Sequence, residues 1–153
     1  MGDKIRGALF NMLGDLNGLH VLDAFAGSGA LSFEAVSRGA KQVIAIDSDR
    51  EAQKAIARNI QQLGLGDRVQ LVSATVNGWV RTNPTKFDIV LCDPPFDEPQ
   101  YEVLERVAVR VKPDGLLVLC WPGAEELPKL KDLTRIEQRT YGDAQLAFYR
   151  RIK

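Results

Sequence analysis

Apolar positions along this chain alternate between two periods. From Asp3 to Leu13 they recur at helical spacing, with Ile5, Leu9, Met12 and Leu13 on one face. GLHVLD (18–23) then reads as a buried strand. Gly27-Ser28-Gly29 predicts a turn, and ALSFEAVSRG (30–39) predicts a helix closed by Gly39. The pattern repeats: strand QVIAID (42–47), helix 50–63 with Ala52, Ala55, Ile56, Asn59, Ile60 and Leu63 on its apolar side, and strand RVQLVS (68–73). A short helix from Val76 to Val80 precedes strand FDIVLC (87–92). Gln100 to Val111 predicts a helix and GLLVLCW (115–121) a fifth strand. LTRIEQRTYG (133–142) and QLAFYRR (145–151) predict two strands joined by a tight turn at Gly142-Asp143.

Strands alternating with helices imply a doubly wound α/β fold, a mostly parallel sheet covered on both faces. The last two strands follow each other directly, so they must pair antiparallel. The chain carries no repeat, low-complexity stretch or linker, and one domain over residues 1–153 is expected. Composition narrows the function classes. Hydrophobic residues are 45% of the chain, enough for a folded core. No apolar run approaches the roughly 20 residues of a membrane span, and MGDKIRGALF lacks the shape of a signal peptide. Cys92 and Cys120 sit in apolar runs without metal or redox spacing, which points to buried thiols, a reducing cytoplasm and no metal. Basic and acidic residues both number 20, so net charge does not advertise a nucleic-acid binder, although a local patch remains compatible with it.

The chemistry concentrates in two stretches. DAFAGSGA (23–30) lies between the first strand and its helix. In open α/β sheets ligands bind beyond the carboxyl ends of the strands, and Gly27 and Gly29 would let backbone approach a ligand closely. The dinucleotide fingerprint is incomplete because Ser32 holds its last position, which weakens the case for a pyrophosphate. An adenosyl sulfonium or amino-acid ligand needs the close approach without a phosphate cradle. Asp47, at the end of the second strand, stands near the distance expected for a ribose-binding acid, and Asp23 is a candidate acceptor from a ligand ammonium, directly or through water. The plainer alternatives are a tight strand-to-helix connection and an Asp47-Ser48-Asp49 helix cap.

LCDPPFDE (91–98) is the second stretch. Pro94 and Pro95 fix φ and lack N–H groups, so the loop is stiff and rich in acceptors. The exocyclic amine of a base is a poor nucleophile because its lone pair is shared with the ring. A carboxylate and a carbonyl accepting both N–H bonds would favour the positive charge that develops on attack. Phe96 offers a face for stacking the base. The alternative is an Asp-Pro turn with Phe96 in the core.

With these motifs in place, the chain resembles the RsmD family of methyltransferases. DKIRGALFNML resembles that family's first helix, LDAFAGSGALSFEAVSRGA its cofactor motif and helix, DPPF its catalytic motif, and YGDAQLAFYR its closing hairpin. The resemblance implies a Rossmann-like, seven-stranded sheet with an antiparallel last strand. It also implies an S-adenosylmethionine-dependent enzyme that methylates guanine N2 in small-subunit (16S) ribosomal RNA. Asp93, Pro94, Pro95 and Phe96 form the catalytic set, and Asp23, Phe25, Gly27, Ser28, Gly29, Asp47 and Ser48 the cofactor-binding set. Ribosomal RNA or an assembling 30S particle is the implied partner of a cytoplasmic monomer. Alternatives are a DNA or RNA adenine or cytosine amino-methyltransferase, or a catalytically silent RNA-binding assembly factor. A nicotinamide oxidoreductase would want a tyrosine with a lysine four residues on, which occurs only at Tyr149 and Lys153, the chain end.

Three departures stand out. The family's basic β-segment before the first helix is lacking, which means a trimmed chain or reduced substrate recognition. SATVN (73–77) offers Ser73, Thr75 or Asn77 where an acid near the adenine is usual, and Cys120-Trp121 replaces a common glutamate. Elsewhere, His20, Trp79 and Trp121 read as structural, and Glu34 with Arg38 as an exposed ion pair. Lys4 and Arg6 are either RNA-phosphate contacts or a solvated face, the basic tail Arg150, Arg151 and Lys153 reads as solubilising, and Asn11 resembles a polar position near the family's cofactor pocket.

Overall fold

A computed structural model describes residues 1–96 and 101–152. The elements are α1 (Asp3–Leu13), β1 (His20–Asp23), α2 (Ala30–Ser37), β2 (Gln42–Asp47), α3 (Arg50–Leu63), β3 (Val69–Ser73), α4 (Val76–Thr82), β4 (Phe87–Cys92), α5 (Tyr101–Ala108), β5 (Val111–Pro122), β6 (Leu133–Tyr141) and β7 (Ala144–Arg151). They build one seven-stranded sheet in the order β3-β2-β1-β4-β5-β7-β6. Strands β1 to β5 are parallel, and β7 runs antiparallel to both β5 and β6. The chain winds from β1 outward to β3, then returns to β4 on the other side of β1. A crevice therefore opens at the carboxyl ends of β1, β2 and β4.

The central strands are near-continuous apolar runs whose successive side chains point to opposite faces, and both faces are covered. On one face Leu9, Phe10, Leu31, Ala35 and Ile56 pack on Val21, Val43, Val118 and Phe148. On the other, Val76, Val80, Leu104 and Val107 pack on Leu22, Ile46, Val90 and Leu117. Helix α1 differs from its expected face in one respect: Phe10 is fully buried and Met12 is exposed. The Arg38 guanidinium lies 6.0 Å from the Phe10 ring centre, so the α1–α2 contact selects Phe10. Helix α3 ends as a Gly64 left-handed cap, and Leu65 folds back to donate to the Ile60 carbonyl. Leu65 joins the core edge while Leu63 is exposed.

The fifth helix is shorter than its pattern suggested. The expected start at Gln100 lies outside the described residues. Its expected end, Val111, instead opens β5, where it pairs with Phe87. Between that pair and the next, Ile89 with Leu116, the register shifts, so that β5 carries a bulge over residues 112–115. Pro113 has no N–H for a ladder bond, and Asp114 takes a left-handed φ of 64°. Strand β6 is the outer edge, exposed at nearly every position and carrying a register shift between Arg135 and Glu137. No helix among the described residues is long and apolar enough to cross a membrane.

Candidate active site

The crevice is a cavity of about 710 Å³, within the range of small-molecule sites. Phe25, Gly27, Ser28, Asp47, Ser48, Asp93, Pro94, Pro95 and Phe96 all line it. Phe25 and Phe96, 71 positions apart in the chain, meet here because β1 sits between β2 and β4.

The glycine turn is held from both sides. The Ala24 N–H donates to the Leu91 carbonyl (3.0 Å) and the Ala26 N–H to the Ile46 carbonyl (2.9 Å), tying the turn to β4 and β2. The Gly27 N–H donates to Asp47 Oδ2 at 2.7 Å, and the Asp49 N–H to Asp47 Oδ1 at 2.8 Å. Asp47 is thus the clamp between the turn and the start of α3, while Asp49 itself caps that helix through the Ala52 N–H. Each carboxylate oxygen keeps a further lone pair for a ligand hydroxyl. Gly27 has φ 56° and lines the cavity, and a side-chain carbon placed on it would meet no protein atom within 4 Å. Gly29 has φ 87°, and the same carbon there would lie 2.7 Å from Phe33 Cε2. One glycine keeps ligand space open; the other permits packing of the turn on α2 and α3.

Asp23 and Gly29 are not on the cavity wall. Asp23 shares its strand face with Val21 and turns toward α2, where Oδ2 accepts from the Ser32 hydroxyl at 2.7 Å. Its side chain is fully buried and Oδ1 has no partner. Burial raises its pKa to about 7; the Ser32 hydrogen bond pulls the other way, and the Asp93 and Asp47 charges add to the rise. Asp23 thus lies beneath the cavity wall, a position that favours the water-mediated form of the expected ammonium contact over the direct one.

Asp93 emerges at the end of β4, with Oδ2 3.5 Å from the Met1 amino group. Phe96 is exposed by 46%, so its ring is available on the cavity side and is not in the core. Cys92 pairs with Leu119 in β5, which makes Asp93 and Cys120 neighbours one residue on. Burial first, and then the Asp93 charge and hydrogen bond, push the Cys120 thiol up to about 12. Burial also pushes the Cys92 thiol well above the ordinary range. Both are protonated, inert thiols.

Several cavity residues carry no motif. Ala74, Thr75, Val76 and Asn77 form one wall after β3, with Thr75 capping α4 through the Gly78 N–H (3.0 Å). Asn77 accepts from Arg106. Val103 comes from α5, and Met1 and Arg6 from the start of α1. Arg6, read from the sequence as an RNA-phosphate contact or part of a solvated face, is brought to the cavity rim by the docking of α1. Asn11 instead accepts from Arg38 at 3.4 Å and is not on the wall. His20 starts β1 at the opposite sheet end, its N–H bonded to Asp88 (2.8 Å). Glu34 and Arg38 pair at 3.2 Å. Trp79 packs on Phe87, and buried Trp121 donates to the Glu126 carbonyl.

The chain that carries this glycine turn, clamping acid and acid-Pro-Pro-aromatic loop matches a family model described as conserved hypothetical protein 95 over residues 1–150. The chain belongs to this family, the RsmD-type class I methyltransferases. It is 31% identical over 157 residues to Bacillus subtilis YlbH, provisionally named as an rRNA methyltransferase, covering 97% of this chain and 85% of that one. It is 34% identical over 99 residues to ribosomal RNA small subunit methyltransferase D of Haemophilus influenzae, covering 62% of this chain and 51% of that one. The match thus spans about half the length of that relative. Escherichia coli yhhF, a structure provisionally named a methyltransferase, superposes with TM-score 0.89 at 27% identity, covering 97% of this chain and 84% of that one.

Proposed function

We propose that this chain, as a single methyltransferase domain over residues 1–153, transfers a methyl group from S-adenosylmethionine to the exocyclic N2 amine of a guanine in small-subunit ribosomal RNA, free or in an assembling 30S particle. The observation that carries this reading is the shared cavity of Asp93, Pro94, Pro95 and Phe96 with Gly27, Ser28 and Asp47. The printed names of the relatives support RNA as substrate.

The residues fit the cofactor. Asp47 is oriented by the turn and has acceptor capacity left for ribose hydroxyls. Gly27 leaves open space where a side chain would intrude. Phe25 and Ser48 complete this wall. When bound, the cofactor supplies an electrophilic methyl group. The chain's own work is on the acceptor. Asp93 and a carbonyl of the Pro94-Pro95 segment accept the two amine N–H bonds. They orient the nitrogen lone pair toward the methyl group and offset the growing positive charge. Phe96 stacks on a base that has left its helix.

The test is transfer of tritium from labelled S-adenosylmethionine to naked 16S RNA, to partly assembled small subunits and to duplex DNA, followed by nuclease mapping. Methylguanine modified at N2 is expected. Label on adenine N6, or efficient transfer to duplex DNA, would replace this reading with another amino-methyltransferase activity.

A further inference from the structure

The cavity walls carry charges of both signs, and the Met1 amino group is already paired with Asp93. Asp47 and Asp93 line the cavity from opposite sides of β1, and Arg6 is the one basic side chain lining it among the described residues. The Arg6 side chain is 25% exposed, and its partner Asp3, at 3.0 Å, is 93% exposed. So solvent-facing a pair binds Arg6 only weakly. An arginine three-quarters covered, at the rim of a cavity, with a dispensable partner, is free to meet a ligand anion.

Resting on the cofactor reading above, we propose that Arg6 holds the carboxylate of the cofactor's amino-acid end. The donor inventory favours this role. In the glycine turn the amides of Ala24, Ala26, Gly27 and Gly29 are already used, by Leu91, Ile46, Asp47 and Ala26 respectively. Phe25, Ser28 and Ala30 of the turn also border the cavity, but backbone amides carry no formal charge, which a guanidinium supplies. The position agrees. Met1 touches Asp93, which places the start of α1 over the end of β4. Asp47 lies on the far side of β1. A ligand with its ribose at Asp47 directs its other end toward β4 and α1. A guanidinium presents two parallel donors to a carboxylate, a geometry that a lysine does not reproduce.

The test compares two ligands that differ only at that end. S-adenosylhomocysteine carries the amino acid; 5′-methylthioadenosine keeps the adenosine and sulfur without it. Calorimetry on wild type, Arg6→Gln and Arg6→Lys should show Arg6→Gln weakening S-adenosylhomocysteine by about tenfold or more, the scale of a lost charge-assisted contact. Binding of 5′-methylthioadenosine should not change, and Arg6→Lys should fall between. Equal weakening of both ligands would overturn the assignment by showing a general effect on the site. Unchanged S-adenosylhomocysteine affinity with reduced kcat/KM for RNA would also overturn it and place Arg6 on substrate phosphate. If wild type bound neither ligand, the cofactor reading itself would fall.

Discussion

The two glycines of the turn perform different tasks, and alanine at each should separate them. Both have left-handed φ, 56° at Gly27 and 87° at Gly29. Alanine in that region costs about 1–2 kcal/mol, part of which is offset by about 0.4–1 kcal/mol from the restricted unfolded chain. For Gly27→Ala that is the whole effect on folding, because the added carbon meets nothing within 4 Å. For Gly29→Ala the carbon lies 2.7 Å from Phe33 Cε2 and 3.1 Å from Cγ1 of buried Ile56. Crowding in a packed region adds about 1–3 kcal/mol. Urea denaturation, with stabilities extrapolated linearly to water, should place Gly27→Ala about 1 kcal/mol below wild type and Gly29→Ala about 2–4 kcal/mol below it. Calorimetry with S-adenosylhomocysteine should give the opposite ranking, with Gly27→Ala impaired more than its small stability loss explains. Equal destabilisation of the two variants would refute the packing argument. Wild-type affinity in Gly27→Ala would refute the claim that ligand passes close to this backbone.

Asp93→Asn keeps shape and one acceptor but loses charge, so turnover should fall by roughly 10²-fold or more while cofactor affinity moves little, as rapid-quench and calorimetric measurements would show. Asp23 has a folded pKa of about 7 against an ordinary 3.8, so the folded state binds more protons than the unfolded one between these values. Stability must therefore decrease as pH rises through that window. Asp23→Asn should flatten this part of the profile in urea titrations at pH 5 and pH 8, and an unchanged slope would exclude Asp23 as its source. Buried Gln145 donates to the carbonyls of Pro122 (2.9 Å) and Glu125 (2.8 Å), so Gln145→Ala should cost about 1–3 kcal/mol in thermal or urea unfolding.

Much of the fold was legible because its strands are near-continuous apolar runs that could only be buried on both sides, as QVIAID and FDIVLC show. The site's location followed from the same alternation, since residues after parallel strands share one sheet edge. What escaped depended on orientation or docking. Strand alternation puts Asp23 on the face of Val21 and hence toward α2, which sets it beneath the cavity wall rather than on it. Arg6 and Val103 reach the cavity only through the packing of their helices, which no local spacing records. The boundary at Val111 was lost because a helical repeat ran into a strand whose pairing partner, Phe87, is set by the sheet. Asp47 was expected to meet a ribose or cap a helix; its bond to the Gly27 amide adds a third role that links two loops.

Strand β6 has a bearing on how the protein behaves in crowded solution. An outermost strand offers unpaired amides and carbonyls to any passing extended chain, and a flat apolar one would recruit such chains into aggregates. Here the margin carries Arg135, Glu137 and Arg139, and the irregularity at Ile136 interrupts its spacing. A second strand laid alongside would have to bury those charges and match a broken ladder. The sheet can thus end in the open, with edge charges and a broken ladder opposing edge-to-edge pairing at a net charge that supplies no overall repulsion.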